Sequence, residues 1–316
     1  MANYIKSPIH YMGGKYDLLP YLIEQFPKPE EVTTFYDLFG GSGTVSLNVP
    51  YKNVVYNELN DNMVNLLKMI RDTDPQEIID HINKRIKEFG LNEEGTDTRQ
   101  NISEIEELRN YYNNRYIEFR KFYNESEKDI KDLYALSFYS FCNLMRFNSK
   151  NEFNMPFGNR CFIKEDAYRL IEAHNRFLEK NIELRQGDTF ELMASITNNE
   201  NQFCYLDPPY QNSTAIYNEN RAFGGWGIEE DEKLFNELDR LTKLGIKWAY
   251  SNVLSIKGKD NDHIEAWANR NGYTIIELEN KEYSSLGKGN ANAREVLIIN
   301  YEQRAKRYSI FDFLDE

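Results

Sequence analysis

Cysteine is scarce: the 316-residue chain has three, Cys142, Cys161 and Cys204, an odd number with no Cys-x-x-Cys spacing. That argues against a disulfide framework or a cysteine-built zinc site and fits a reducing cytoplasm. Long apolar runs are absent, and nothing approaches the roughly 20 residues of a membrane span. The opening Met1-Ala2-Asn3-Tyr4-Ile5-Lys6 lacks the apolar stretch of a secretory signal. Positive charge is in the minority, with 38 Lys+Arg against 51 Asp+Glu, a net −13 with His neutral. A protein that coats nucleic acid non-specifically carries the opposite balance. What is present is a core: 41% hydrophobic and 14% aromatic residues exclude full disorder. The length suits two domains at roughly 100–200 residues each.

Seven short β-type runs stand out: Thr33–Leu38, Asn53–Tyr56, Ile182–Gln186, Phe203–Leu206, Ile246–Tyr250, Tyr273–Glu279 and Val296–Tyr301. Several are continuously apolar, as strands covered on both faces are. Helical patterns at Leu59–Arg71, Glu165–Lys180, Glu229–Leu244 and Asp262–Asn271 alternate with them. This predicts an open α/β sheet. Between residues 73 and 164 the chain reads as helices only. Ser103 with Glu106 has the spacing of a capping box, and Ile105, Leu108, Tyr112, Phe119 and Phe122 recur at helical intervals. A further helix is expected over Ser126–Met145, then a hairpin over Arg146–Asn154. The expected organisation is a catalytic domain, 1–72 and 165–316, interrupted by an insertion, 73–164.

Three motifs carry chemistry. In Phe35-Tyr36-Asp37-Leu38-Phe39-Gly40-Gly41-Ser42-Gly43-Thr44 a strand enters a glycine-rich turn and then a helix. The next strand ends at Glu58, about 20 residues on, where a carboxylate can bind ribose hydroxyls. The pattern fits a nucleoside-type ligand or a plain β–turn–α corner; no Gly-Lys-Ser/Thr follows to make a Walker loop. In Asp207-Pro208-Pro209-Tyr210, directly after a strand, two prolines fix a rigid turn at the sheet's carboxyl edge. A carboxylate, a carbonyl and an aromatic ring there suit a planar base with an exocyclic amino group. Tyr11-Met12-Gly13-Gly14-Lys15 reads as a cover over such a ligand or as a surface turn.

Taken together, Tyr11–Lys15, Asp37–Gly43, Asp207–Tyr210 and the segment Phe141-Cys142-Asn143-Leu144-Met145-Arg146-Phe147-Asn148 with Phe153-Asn154-Met155-Pro156-Phe157-Gly158 resemble DNA adenine-N6 methyltransferases of the Dam type. The resemblance runs from Tyr11 to Tyr301, with cofactor motif first, target-recognition insertion next and catalytic motif last. It implies the S-adenosylmethionine-dependent methyltransferase fold, a seven-stranded mixed sheet with helices on both faces, plus a mostly helical insertion with a β-hairpin. It implies S-adenosyl-L-methionine as cofactor, double-stranded DNA as partner and no metal. Tyr11 would pack on the cofactor, Lys15 and Asp37 hold its amino-acid end, Glu58 bind the ribose and Asp188 lie near the adenine. Gly14, Phe39, Gly40, Gly41, Ser42, Gly43 and Thr44 complete that set, with Asp207 bordering it. Asp207, Pro208 and Tyr210 would handle the target adenine.

Recognition would fall to the insertion: Leu144, Arg146 and Pro156 toward bases, Phe141 as a wedge, and Asn143, Asn148, Lys150 and Asn154 beside them. Many bacterial members carry Lys where this chain has His10, which takes the corresponding DNA-facing place. The family hairpin often has Asn-Gly where this chain has Cys142-Asn143. The implied target is GATC, methylated after base flipping, and a cognate restriction endonuclease is a candidate partner. Competing readings are methylation of another DNA site, of RNA adenine or of cytosine N4, a dinucleotide-dependent oxidoreductase, and an inactive DNA-binding regulator. An oxidoreductase leaves the Asp-Pro-Pro-Tyr turn without a role.

Weaker features remain. Gln211–Gly227 reads as a lid or as an ordinary loop, Ser251-Asn252 as part of the base pocket by resemblance. His81, His174 and His263 lie in helical stretches with no partner pattern and read as surface histidines rather than ligands, and the Ile310–Glu316 tail as packed on its own domain. A monomer in the cytoplasm is expected. Charge divides unevenly: Phe141–Lys164 has four basic residues against one acidic, and Gln186–Gly245 eleven acidic against four basic.

Overall fold

The computed structural model describes residues 3–11, 13–197, 201–210, 226–256, 259–278 and 294–303. Met12, most of the expected lid within 211–227 and the C-terminal tail lie outside the described residues. The strands are β1 (Thr34–Asp37), β2 (Asn53–Glu58), β3 (Asn181–Gln186), β4 (Gln202–Leu206), β5 (Lys247–Ile256), β6 (Lys259–Asp260), β7 (Thr274–Glu277) and β8 (Arg294–Ile299). They form one sheet in the order β3-β2-β1-β4-β5-β8-β7, with the two-residue β6 pairing only with β5. β1 to β5 are parallel, while β8 runs antiparallel to both β5 and β7. The chain winds outward from β1 to β3 and then returns to lay β4 on the other side of β1. That reversal opens a crevice at the carboxyl ends of β1 and β4, where open α/β sheets bind ligands.

Both faces of the sheet are covered. On β4, Phe203 and Tyr205 enter one apolar core while Cys204 and Leu206 enter another, as the two-residue period of a strand requires. Such a strand needs no polar face, which is why it reads as a continuous apolar run. The helices are α1 (Leu19–Gln25), α2 (Thr44–Asn48), α3 (Asp61–Asp72), α4 (Pro75–Phe89), α5 (Arg99–Glu104), α6 (Glu106–Glu125), α7 (Ile130–Tyr139), α8 (Lys164–Glu179), α9 (Thr189–Ser195), α10 (Ile228–Lys243) and α11 (Asp262–Asn271). The core under Phe35 and Phe203 continues without a break into Ile82, Phe119 and Phe138 of the insertion.

Three local expectations fail for identifiable reasons. The Ser103–Glu106 capping box does not form, because Thr98 starts a helix earlier, its side chain accepting from Asn101 N. Ser103 is then inside α5 and donates to the Arg99 carbonyl at 2.8 Å. The helix expected over Ser126–Met145 is shorter at both ends. Asp129 caps its start, and at its finish Gly158 N donates to the Tyr139 carbonyl while Ser140 bridges Phe157. The histidines are partnered and part-buried: His81 Nε2 lies 2.6 Å from Asp132 Oδ1, His263 Nε2 2.8 Å from Asp231 Oδ2, and His174 Nδ1 2.9 Å from the Ile70 carbonyl. Buried carboxylates require such partners. Among the described residues no helix is long and apolar enough to cross a membrane, and no three His, Cys, Asp or Glu side chains form a metal-binding group.

Candidate active site

Asp37 ends β1, in register with Tyr205 of β4, and Asp207 follows directly after β4. Parallel pairing therefore brings the two carboxylates to one sheet edge. Pro208 and Pro209 carry no backbone N–H, so neither strand nor helix hydrogen bonding continues from them. The turn brings Tyr210 back, and its hydroxyl donates to Asp207 Oδ1 at 2.8 Å. Lys15 Nζ donates to the Tyr210 hydroxyl at 2.8 Å and lies 3.0 Å from Asp207 Oδ2 and 3.5 Å from Glu295 Oε1. With Lys15 only 6% exposed, its charge depends on these partners. Burial, then the neighbouring Asp207 charge, raises the Tyr210 phenol well above its ordinary value, so it stays protonated. Glu295 is raised by burial and partly restored by Lys15. The sequence reading missed Glu295; the available signal is a carboxylate at the head of the apolar run Val296-Leu297-Ile298-Ile299.

The glycine-rich loop lies beside this cluster. A Cβ on Gly40 would fall 2.1 Å from the Tyr56 ring, whose hydroxyl donates to the Gly41 carbonyl. Gly41 takes φ +49°, and a Cβ there would meet the Tyr11 ring at 3.2 Å. Glu58 Oε2 accepts from Gly41 N and its Oε1 from Asn60 N, both at 2.9 Å. Ser42 and Thr44 hydroxyls are hydrogen-bonded to each other at 3.0 Å. Asp37 Oδ2 accepts from Ser46 N and Ser46 Oγ, tying the strand end to α2. Burial pushes the Asp37 carboxyl up to about 7, against the two Ser46 hydrogen bonds and with help from the Asp207 and Glu58 charges. Lys180 Nζ donates to the Ser46 and Val49 carbonyls at the other end of α2, and burial lowers its amine to about 7. Phe39 meets Trp226 edge-on at 5.4 Å. Gly14 is exposed beside the Tyr11 carbonyl. Asp188 caps α9, accepting from Phe190 N and Glu191 N.

The hairpin is a separate construction. Phe147 bridges Phe153, and Asn148 builds the turn: its Oδ1 accepts from Lys150 N and Glu152 N, and its Nδ2 donates to Glu152 Oε2. Arg146 donates through Nε to Asn154 Oδ1 and through a terminal nitrogen to the Asn154 carbonyl. Just before the hairpin, Cys142 and Asn143 take φ of 56° and 57°, a left-handed pair of non-glycine residues. Phe141 is 52% exposed, Leu144 and His10 half-buried, and the Pro156 carbonyl accepts from Phe141 N. His10 Nε2 lies 3.5 Å from Asp166 Oδ1. One face of α6 braces the hairpin: Tyr116 and Arg120 donate to the Met155 carbonyl, and Asn124 pairs with both backbone groups of Phe153. These three residues recur every four positions, the spacing that puts them on one face of the helix. Ser251 and Asn252 lie inside β5, not at its end; Ser251 bonds the Tyr205 hydroxyl and Asn252 the Tyr250 hydroxyl and Val253 N.

A family model described as D12 class N6 adenine-specific DNA methyltransferase matches residues 11–283, from the Tyr11 cover to beyond β7. The chain belongs to that family. It is 35% identical over 314 residues to the type II methyltransferase M.FokI of Planomicrobium okeanokoites and 33% identical over 319 residues to the modification methylase StsI of Streptococcus sanguinis. Each alignment covers 96% of this chain but 44% of the relative, so the chain spans less than half the length of those enzymes. A DNA adenine methylase of Vibrio cholerae is 25% identical over 245 residues, covering 74% of this chain and 76% of that protein. In this member of the D12 family, Tyr11, Lys15, Asp37, Gly40, Gly41, Glu58, Asp207 and Tyr210 gather around one sheet edge, while the hairpin residues stand on the insertion.

Proposed function

We propose that this D12 methyltransferase transfers a methyl group from S-adenosyl-L-methionine to N6 of an adenine flipped out of duplex DNA. The observation that carries this reading is the Lys15–Asp207–Tyr210 cluster, set at the sheet's reversal point beside the Gly40–Gly43 loop.

The residues fit the cofactor. Side chains are excluded at Gly40 by the Tyr56 ring, so loop backbone is what faces the crevice. Tyr11 would cover the cofactor over Gly41, with Gly14, Phe39, Ser42, Gly43 and Thr44 around it. Glu58 would bind the ribose; its carboxylate is oriented at the crevice by backbone N–H groups, among them those of Gly41 and Asn60. Lys15 and Asp37 would hold the amino-acid end, and Asp188 would lie near the adenine. When bound, the cofactor supplies a sulfonium-borne methyl group.

The chain's own residues do the rest. Adenine N6 is a weak nucleophile because its lone pair is delocalised into the ring. Asp207 and the Pro208 carbonyl accept the two N6 hydrogens and favour a pyramidal nitrogen. Asp207 holds the proton shed as the nitrogen gains its methyl. This is positioning and electrostatics, without a covalent enzyme intermediate. Flipping costs a few kcal/mol, partly offset by stacking on Tyr210. Phe141 fills the gap in the duplex, and Arg146 reads guanine, with Leu144, Pro156 and the Asn154-anchored hairpin backbone setting its approach.

GATC is the target implied by resemblance to the Dam type. A second reading, a different site with a cognate endonuclease in the same cytoplasm, is favoured by higher identity to M.FokI and StsI, 35% and 33%, than to the Vibrio DNA adenine methylase, 25%. Plasmid from a methylation-deficient host expressing the protein tests both. Resistance to an endonuclease blocked by GATC methylation is expected under the first reading. Full cleavage of DNA that still accepts labelled methyl groups assigns another site.

A further inference from the structure

Asp207 begins in the wrong company for its task. In the structure its two oxygens face Lys15 Nζ and the Tyr210 hydroxyl, whereas the proposed reaction needs one of them for the N6 amine. A Lys15 charge that is 6% exposed is not left without a carboxylate cheaply. Glu295 supplies one. It lies on β8 opposite Val253 of β5, where that register is broken by a bulge, and its Oε1 is 3.5 Å from Lys15 Nζ. Lys15, Asp207, Tyr205 and Tyr210 are the titratable groups acting with it.

We propose that Glu295 is a positioning residue for Asp207: it takes over the charge of Lys15, so that Asp207 is released to accept from the target amino group. The proposal rests on the role given to Asp207 above. Glu295 touches neither substrate nor methyl donor in this scheme and acts through Lys15 alone.

The test uses the full chain, duplex DNA and S-adenosylhomocysteine as the cofactor-site probe. Asp207→Ala comes first; if it transfers methyl groups as well as wild type, the underlying reading fails, independently of Glu295. With that reading intact, Glu295→Gln is expected to lower kcat about 10- to 100-fold while S-adenosylhomocysteine and DNA affinities stay within about threefold. In a Lys15→Met background the same change should cost nothing further, since there is no charge to hold. A second readout needs no activity. In the cofactor-free protein, Glu295→Gln combined with Asp207→Asn should lower Tm roughly 3–6 °C beyond the sum of the single changes, because Lys15 then loses both carboxylates. Wild-type kcat in Glu295→Gln, an equal loss in the Lys15→Met background, or additive Tm changes would each overturn the proposal.

Discussion

At the carboxyl edge of the sheet, Lys15 Nζ lies within 3.5 Å of polar atoms of Asp207, Glu295 and Tyr210, the first and last just beyond β4 and Glu295 on β8. In the segment that leads into and forms the hairpin, Phe141 stands exposed, Lys150 faces solvent, and two consecutive non-glycine residues, Cys142 and Asn143, hold left-handed backbone. The two regions also differ in charge. Phe141–Lys164 carries four basic residues against one acidic, while Gln186–Gly245 carries eleven acidic against four basic. The difference separates two tasks. Chemistry needs groups fixed before substrate arrives, so it is built on the sheet, where each charge has a partner. Recognition needs surface that can meet phosphate and base edges, so it is carried on an insertion and braced from behind by α6. The net acidity of the chain is then a property of the catalytic half and not of the reading surface.

If this division holds, sheet-edge variants lose transfer and keep DNA binding, and hairpin variants do the reverse. Asp207→Ala is the sharpest case, with transfer expected to fall by about 10³-fold or more while S-adenosylhomocysteine and DNA still bind; calorimetric titration checks the binding.

Asp37→Asn tests the cost of placing a carboxylate under cover. The folded pKa of Asp37 is raised to about 7 from 3.8, so folding favours the protonated acid. Its stabilising contribution is complete below the unfolded value and is lost as pH rises toward 7. The gap corresponds to roughly 4 kcal/mol at most. Thermal melts should therefore show Asp37→Asn gaining on wild type between pH 4 and 7 and holding a constant advantage above, while losing affinity for the cofactor. A pH-independent difference would remove the claim that Asp37 is strained for function.

On the hairpin side, Arg146→Ala should cost ~1–3 kcal/mol of discrimination against the wrong base, read as a relaxed methylation pattern with kcat on the preferred site little changed. The smallest effect concerns salt. With four basic residues in the reading segment, the slope of log K against log salt should be no steeper than about −4. A steeper slope with tight non-specific binding would place DNA on surfaces other than the hairpin.

Strands such as β1 and β4 were legible in the sequence as short runs rich in apolar and aromatic residues, with ends within two residues of the observed ones, whereas β5 runs six residues past its expected end at Tyr250 and β6 was not expected. The Asp-Pro-Pro-Tyr turn was legible because proline removes the alternatives. Helix ends in the insertion were not. Ser103 and Glu106 have the right spacing for a cap, but Thr98 acts five residues earlier, and local spacing cannot say which of two caps wins. The extent of α7 depends on Gly158, where a Cβ would fall 2.2 Å from the Ser140 carbonyl oxygen. That contact is long-range and invisible in a local pattern. Glu295 was missed for the same reason, since its meaning comes from Lys15, far away in the chain. Asp188 and Asn148 were readable as polar residues at turns, but not as the helix cap and the hairpin turn that they respectively form.

The central claim is that the Asp207 edge methylates adenine at N6. Duplex DNA incubated with the protein and S-adenosyl-L-methionine bearing a deuterated methyl group, then digested to nucleosides and analysed by mass spectrometry, tests it directly. The account predicts deuterated N6-methyldeoxyadenosine from wild type and almost none from Asp207→Ala. Label on cytosine, or equal labelling of adenine by Asp207→Ala, would contradict it.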